Sequence, residues 1–200
     1  MKHLNNFITE KLKINKDSKT NNYNYYPKDN KELKELVKKL IKERGNEANL
    51  NDIDTSEITD MSKLFNDIDF NGNISNWDVS NVENMYGMFY YSEFNGDISK
   101  WDVSNVENMR SMFGNSPFNS DISQWDVRKV EDMCFMFCHT KFNKDISNWD
   151  VSNVTDMQGM FFYSKFNSDI SKWNVSKVTN MNEMFKKCPL EKNPPKWYKK

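Results

Sequence analysis

Tryptophan occurs at positions 77, 101, 125, 149, 173 and 197, each 24 residues after the last. Phenylalanine keeps the same step at 70, 94, 118, 142 and 166, and methionine at 61, 85, 109, 133, 157 and 181. A second apolar pair follows each methionine: Leu64-Phe65, then Met88-Phe89, Met112-Phe113, Met136-Phe137, Met160-Phe161 and Met184-Phe185. Residues 46–69 form a degenerate first copy, five regular copies run from 70 to 189, and a truncated one follows. One unit offers about eight apolar side chains, which cannot offset an ordering cost of ~1–2 kcal/mol per residue unless neighbouring units cover both its sides. The chain is therefore expected to be a stack in which equivalent side chains of successive coils touch.

Within a unit the apolar spacing changes. Val82, Met85 and Phe89 are three and four residues apart, which predicts one face of a short helix, and Ser80-Asn81-Val82-Glu83 reads as its capping box. Ile74 to Val79 is short and rich in β-branched and aromatic residues, which predicts a strand. The expected fold is thus an α/β repeat, a solenoid of about six 24-residue strand-turn-short-helix coils. Four segments are expected: an N-terminal arm (1–26), a capping helix (27–45), the repeats (46–189) and a C-terminal cap (190–200). Leu33, Leu36, Val37, Leu40 and Ile41 form the apolar stripe of the capping helix, which Gly45 closes. Pro194 and Pro195 blunt the last strand edge, because proline cannot donate to a ladder.

The columns resemble the treponema-type leucine-rich repeat of BspA-like surface proteins. The resemblance rests on Val79-Ser80-Asn81-Val82-Glu83-Asn84-Met85 through Met88-Phe89, then Ser92, Phe94-Asn95 and Ile98-Ser99. Cys188 stands where that repeat often has cysteine; Ser92, Ser116, Thr140 and Ser164 hold the column elsewhere. The mycoplasma-type variant, a repeat of unassigned function built around F-N-x-D-I-S-x-W-D-V-S-N-V, is the closer likeness. The resemblance implies a leucine-rich-repeat-like solenoid, often a surface adhesion or protein-binding module. Met1-Lys2 with Phe7-Ile8-Thr9-Glu10 is similar to the capsid-targeting leader of internal head proteins in large tailed phages, which would be cut after Glu10.

Net charge is −1, against a dedicated nucleic-acid binder, although basic ends flank a body (46–185) with 10 Lys/Arg against 22 Asp/Glu. No apolar run reaches the ~18 residues of a membrane span, and the opening residues lack the h-region of a secretory signal. Three cysteines, Cys134, Cys138 and Cys188, are too few for a disulfide framework. The expected location is therefore cytoplasmic, with the virion, or the cell surface by a non-classical route, as the alternative.

The ladder of Trp77, Trp101, Trp125, Trp149 and Trp173 reads as core rather than as a cofactor or sugar cleft, because it recurs once per coil. Asp97, Asp121, Asp145 and Asp169 form one acidic column, and Asp78, Asp102, Asp126 and Asp150 another. They read as turn caps rather than as calcium ligands. Cys134, Cys138 and His139 lack the partner pair a structural zinc needs, and nothing resembles a nucleophile set, so no metal, cofactor or catalysis is expected.

Copies differ most in the columns after the methionine, where aromatics and arginine collect: Tyr86, Tyr90, Tyr91, Arg110, Phe135, His139, Phe162 and Tyr163. Those types favour binding hot spots, although burial on the convex side explains them as well. The expected function is a non-enzymatic scaffold for protein–protein interaction, more readily a monomer than an oligomer, with no nucleic-acid or membrane partner. The alternatives are a structural or packaged phage-type protein carrying an N-terminal targeting arm, and a calcium- or glycan-binding adhesin.

Overall fold

The computed structural model describes residues 23–199, so Leu4 to Glu10 and the proposed leader lie outside the described residues. The first regular element is helix α1, Asn30–Arg44. It starts where the Asp29 carboxylate accepts the Glu32 N–H at 2.8 Å, and ends at Gly45, whose φ of 88° suits glycine and whose N–H reaches the Ile41 carbonyl. Leu33, Leu36, Val37 and Leu40 bury the apolar stripe on the first coil. Asn30 adds a polar contact, donating from Nδ2 to the Asp60 and Ser62 carbonyls at 3.0 and 3.2 Å. Tyr23–Tyr26 also lies against this coil: Tyr25 pairs with Ile53, and Asn24 donates its N–H to the Asp52 carbonyl.

Beyond α1 the chain does not alternate strand and helix. The α/β expectation, and with it the leucine-rich-repeat architecture of strand-turn-short-helix coils, is corrected. Among the described residues the only other helical element is a short 3-10 turn at Pro189–Glu191, and neighbouring coils share isolated parallel bridges rather than a sheet. Asn84, Asn108, Asp132, Asp156 and Asn180 make one line of such bridges.

The coils are built from turns, and hydrogen bonding explains why. Between Met85 and Ser92, alternate N–H groups leave the coil: Met85, Gly87, Phe89 and Tyr91 donate to the carbonyls of Asn108, Arg110, Met112 and Gly114, at 2.8–3.0 Å. The intervening N–H groups stay inside it, Met88 on Met85, Tyr90 on Gly87 and Ser92 on Phe89. An α-helix would consume every N–H internally and leave none to join the coils. Two residues per ribbon take positive φ, here Gly87 (58°) and Tyr91 (55°), as the third position of a type II turn requires. Met85, Met88 and Phe89 still all point inward, because i, i+3 and i+4 share a side in this ribbon as they do in a helix.

The expected strand is interrupted in the same way. Trp77 N–H closes a turn on the Ile74 carbonyl and Val82 N–H one on Val79. The Ser80 N–H is taken by the Asp78 carboxylate, so Ser80 and Glu83 make no capping box.

Stacking follows the 24-residue step. Phe65, Phe89, Phe113, Phe137, Phe161 and Phe185 form an offset stack with centroids 5.4–6.0 Å apart. A second column, Phe70 to Phe166, runs beside it at 6.2–6.4 Å. Trp77, Trp101, Trp125, Trp149 and Trp173 lie buried alongside. Each donates its indole N–H to a carbonyl 27 residues earlier, Trp125 to Ile98 at 3.1 Å for example.

Candidate functional site

The ribbon turns outward the residue after each ladder methionine, as at Tyr86, the residue after each inward phenylalanine, as at Tyr90, and its positive-φ residues, and this puts the variable columns on one face. Their exposure differs for a reason visible one coil further on. Tyr90 lies over Gly114, where an added Cβ would come within 2.9 Å of the ring. Phe135 lies over Gly159, where the gap would be 2.2 Å. Tyr90 and Phe135 are therefore half-buried, each filling the space a glycine leaves in the next coil. Tyr91 and Tyr163 hold φ of 55° and 53° and project outward, 57% and 45% exposed, the two exposed large hydrophobic side chains among the described residues.

The face divides into two clusters. In the first, Tyr90 and Tyr91 meet edge to face at 4.6 Å, and the Lys63 ammonium sits 5.1 Å from the centre of the half-buried Tyr86 ring. Arg110 is half-buried at its border, 3.8 Å from the Asp132 carboxylate. These side chains line an open groove of about 520 Å³. In the second, exposed His139 stacks on Tyr163 at 4.9 Å and 11°, half-buried Phe162 packs at 4.6 Å from Tyr163, and Lys186 lies 5.7 Å over Phe162. Lys63 and Lys186 are not among the candidate residues of the sequence reading, although Lys186 stands in a variable column one repeat after Phe162; Lys63 stands one repeat before Gly87.

The thiols beneath this face are buried, which disfavours the thiolate. Burial pushes Cys134 up to about 12 and Cys138 up to about 11, so both stay protonated at neutral pH. His139 is engaged with Phe162 and Tyr163 instead. Among the described residues no group of three or more His, Cys, Asp or Glu is placed to hold a metal ion.

Both acidic columns are occupied in turns. Asp97, Asp121, Asp145 and Asp169 each accept the N–H of the serine two residues on, at 2.8–2.9 Å. Asp78, Asp102, Asp126 and Asp150 do the same with Ser80, Ser104, Arg128 and Ser152. Backbone hydrogen bonds hold Asp97, Asp121, Asp145 and Asp169 below the usual carboxylate range. The Asn column makes a rail: Asn95, Asn119, Asn143 and Asn167 each donate their N–H to the side-chain carbonyl of the previous asparagine.

A third polar column, Asp60, Asn84, Asn108, Asp132, Asp156 and Asn180, escaped the sequence reading. It caps the start of each ribbon, as Asp132 does for the Cys134 N–H. Its signal was the Asp or Asn immediately before each ladder methionine. Burial raises the Asp132 carboxyl, with the neighbouring Asp156 adding to the effect.

A protein family described as Mycoplasma protein of unknown function, DUF285, matches residues 31–139 and again residues 114–198. The chain belongs to this family. The two matches overlap over 114–139, as a unit repeated along the sequence allows. Neither the curated proteins nor the solved structures contain a match to the chain.

Proposed function

We propose that the protein is a non-enzymatic scaffold that binds another protein through its aromatic face. The observation that carries this reading is the exposure of Tyr91 and Tyr163. Each is set beside further rings and a cation (Lys63 or Lys186). Tyrosine supplies large contact area at small entropic cost, and aromatic residues with arginine dominate binding hot spots. Inter-coil hydrogen bonds and ring stacks order the face before contact, so little conformational freedom is lost on binding. Protonated thiols beneath the face support the non-enzymatic part. The resemblance of the repeat to BspA-like adhesion modules points the same way.

The test compares a Tyr91→Ser/Tyr163→Ser variant with the parent in crosslinking and capture from host cells, with thermal melting in parallel. Both side chains are exposed, so the melting temperature is expected to be unchanged while a specific captured protein is lost. The reading fails if capture is identical, or if melting falls as far as it does for a buried ladder tryptophan.

A further inference from the structure

The two ends of the stack are finished differently. At the α1 end, the carbonyls of the first coil's ribbon have no earlier coil to serve, and Asn30 donates to two of them, Asp60 and Ser62. At the other end the exposed groups are donors. In the coil before the last, Met157, Gly159, Phe161 and Tyr163 donate to Asn180, Asn182, Met184 and Lys186, at 2.9–3.0 Å. In the last coil Glu191 takes the Lys187 N–H at 3.0 Å, while the N–H groups of Met181, Glu183 and Phe185 have no acceptor among the described residues.

The C-terminal segment covers only half of this end. Trp197 takes the place of the next ladder tryptophan, stacking on Trp173 at 6.5 Å and donating to the Ile170 carbonyl at 3.1 Å. Tyr198 follows against Phe185 at 4.8 Å. The methionine half stays open as a cleft of about 720 Å³ whose floor includes Val175, Val178 and Met181. These three are only partly buried, whereas Val151, Val154 and Met157 in the same columns are 0–1% exposed.

We infer that this half-edge is a peptide-docking site that takes an apolar segment from a partner protein. The segment presents backbone carbonyls at alternate residues to the Met181, Glu183 and Phe185 N–H groups and apolar side chains to Val175, Val178 and Met181. The preceding coil junctions show what fits, since each ribbon is covered by carbonyls at two-residue steps together with Met and Phe side chains. Hydrogen-bond polarity excludes a second copy of this chain. The same end of a copy offers donors to donors, and at its complementary edge the Asp60 and Ser62 carbonyls are already taken by Asn30 of α1. Residues 186–200 hold six lysines and one glutamate, which favours a segment with acidic flanks. The cleft adjoins the second aromatic cluster, whose Lys186 also lines it, but lies coils away from Tyr91 in the first, so a Tyr91 variant tells the two readings apart.

The probe is a peptide of residues 153–164 of this chain, whose Asp156, Gln158, Met160 and Phe162 carbonyls serve that purpose inside the stack. Amide hydrogen exchange of the full chain is followed with and without saturating peptide. Exchange at Met181, Glu183 and Phe185 is expected to slow by about tenfold or more, with titration giving a saturable curve. Val178→Asp is expected to weaken binding by about tenfold or more, and Tyr91→Ser to leave it unchanged. Unchanged exchange at the three amides, equal affinity for Val178→Asp, or a dimer formed through this edge in sedimentation overturns the inference.

Discussion

Trp125 and Trp197 make the same hydrogen bond in different surroundings, which makes them a measure of how much the stack itself contributes. Trp125 donates to Ile98 and Trp197 to Ile170, both at 3.1 Å. Trp125 is 4% exposed between two coils, whereas Trp197 is half-buried over the last one. Phenylalanine removes the donor in both cases. At position 125 the orphaned carbonyl sits in the core, at about 1–1.5 kcal/mol, and the missing part of the indole leaves unfilled apolar space worth about another 1.5–2 kcal/mol. Trp125→Phe should therefore cost about 3 kcal/mol. Water reaches position 197, so Trp197→Phe should cost about 1 kcal/mol. Urea unfolding reads the difference: with a slope of about 2 kcal/mol per molar, the midpoint falls by about 1.5 M for the first variant and about 0.5 M for the second. Equal midpoints for the two variants, or a cost below about 1 kcal/mol at Trp125, would refute the idea that burial between coils holds the protein together.

Three further outcomes are expected. Gly159→Ala places a Cβ 2.2 Å from the Phe135 ring at a φ of 56°. It should cost about 2–3 kcal/mol, with Phe135→Leu in the same chain recovering part of the loss in thermal melting. Asp132→Asn keeps the cap on the Cys134 N–H and removes a charge that burial disfavours. The folded state of Asp132 holds its proton more tightly than the unfolded chain does, so ionisation costs stability as pH rises through that raised value. The variant should melt higher than the parent at pH 7 and no higher at pH 3, and a lower melting temperature at pH 7 contradicts this. Cys134 and Cys138, pushed up to about 12 and about 11, should resist a thiol-labelling reagent at pH 8 in the folded protein and react promptly in urea. Fast labelling of the folded chain would reopen a role for these thiols.

The aromatic face was legible only as a set of columns. Sequence columns carry Tyr90 and Phe135 as readily as Tyr91 and Tyr163, yet the first pair lies down on glycines and the second projects outward. The clue was present as Gly114 and Gly159, each 24 residues after the ring it accommodates. It acquires meaning only when the direction of each side chain is known. The conformation of the coil was misread for a related reason. Inward spacing at Val82, Met85 and Phe89 is shared by a helix and by a ribbon of successive turns, so periodicity reports which residues face the core and not how the backbone turns between them. The positive φ at Tyr91, Asn115, His139 and Tyr163 had no glycine to announce it.

The repeat length, the ladder of indoles and rings, the capped helix at Asp29 and the turn-forming aspartates follow from covalent order, because each is local or is repeated at constant spacing. Which N–H groups leave a coil and which stay within it is a competition between a helix satisfying itself and a neighbour needing donors. That competition exists only once coils are stacked. The same holds for the unfilled donors of Met181, Glu183 and Phe185: an edge becomes open or closed only when one coil has a neighbour and another has none.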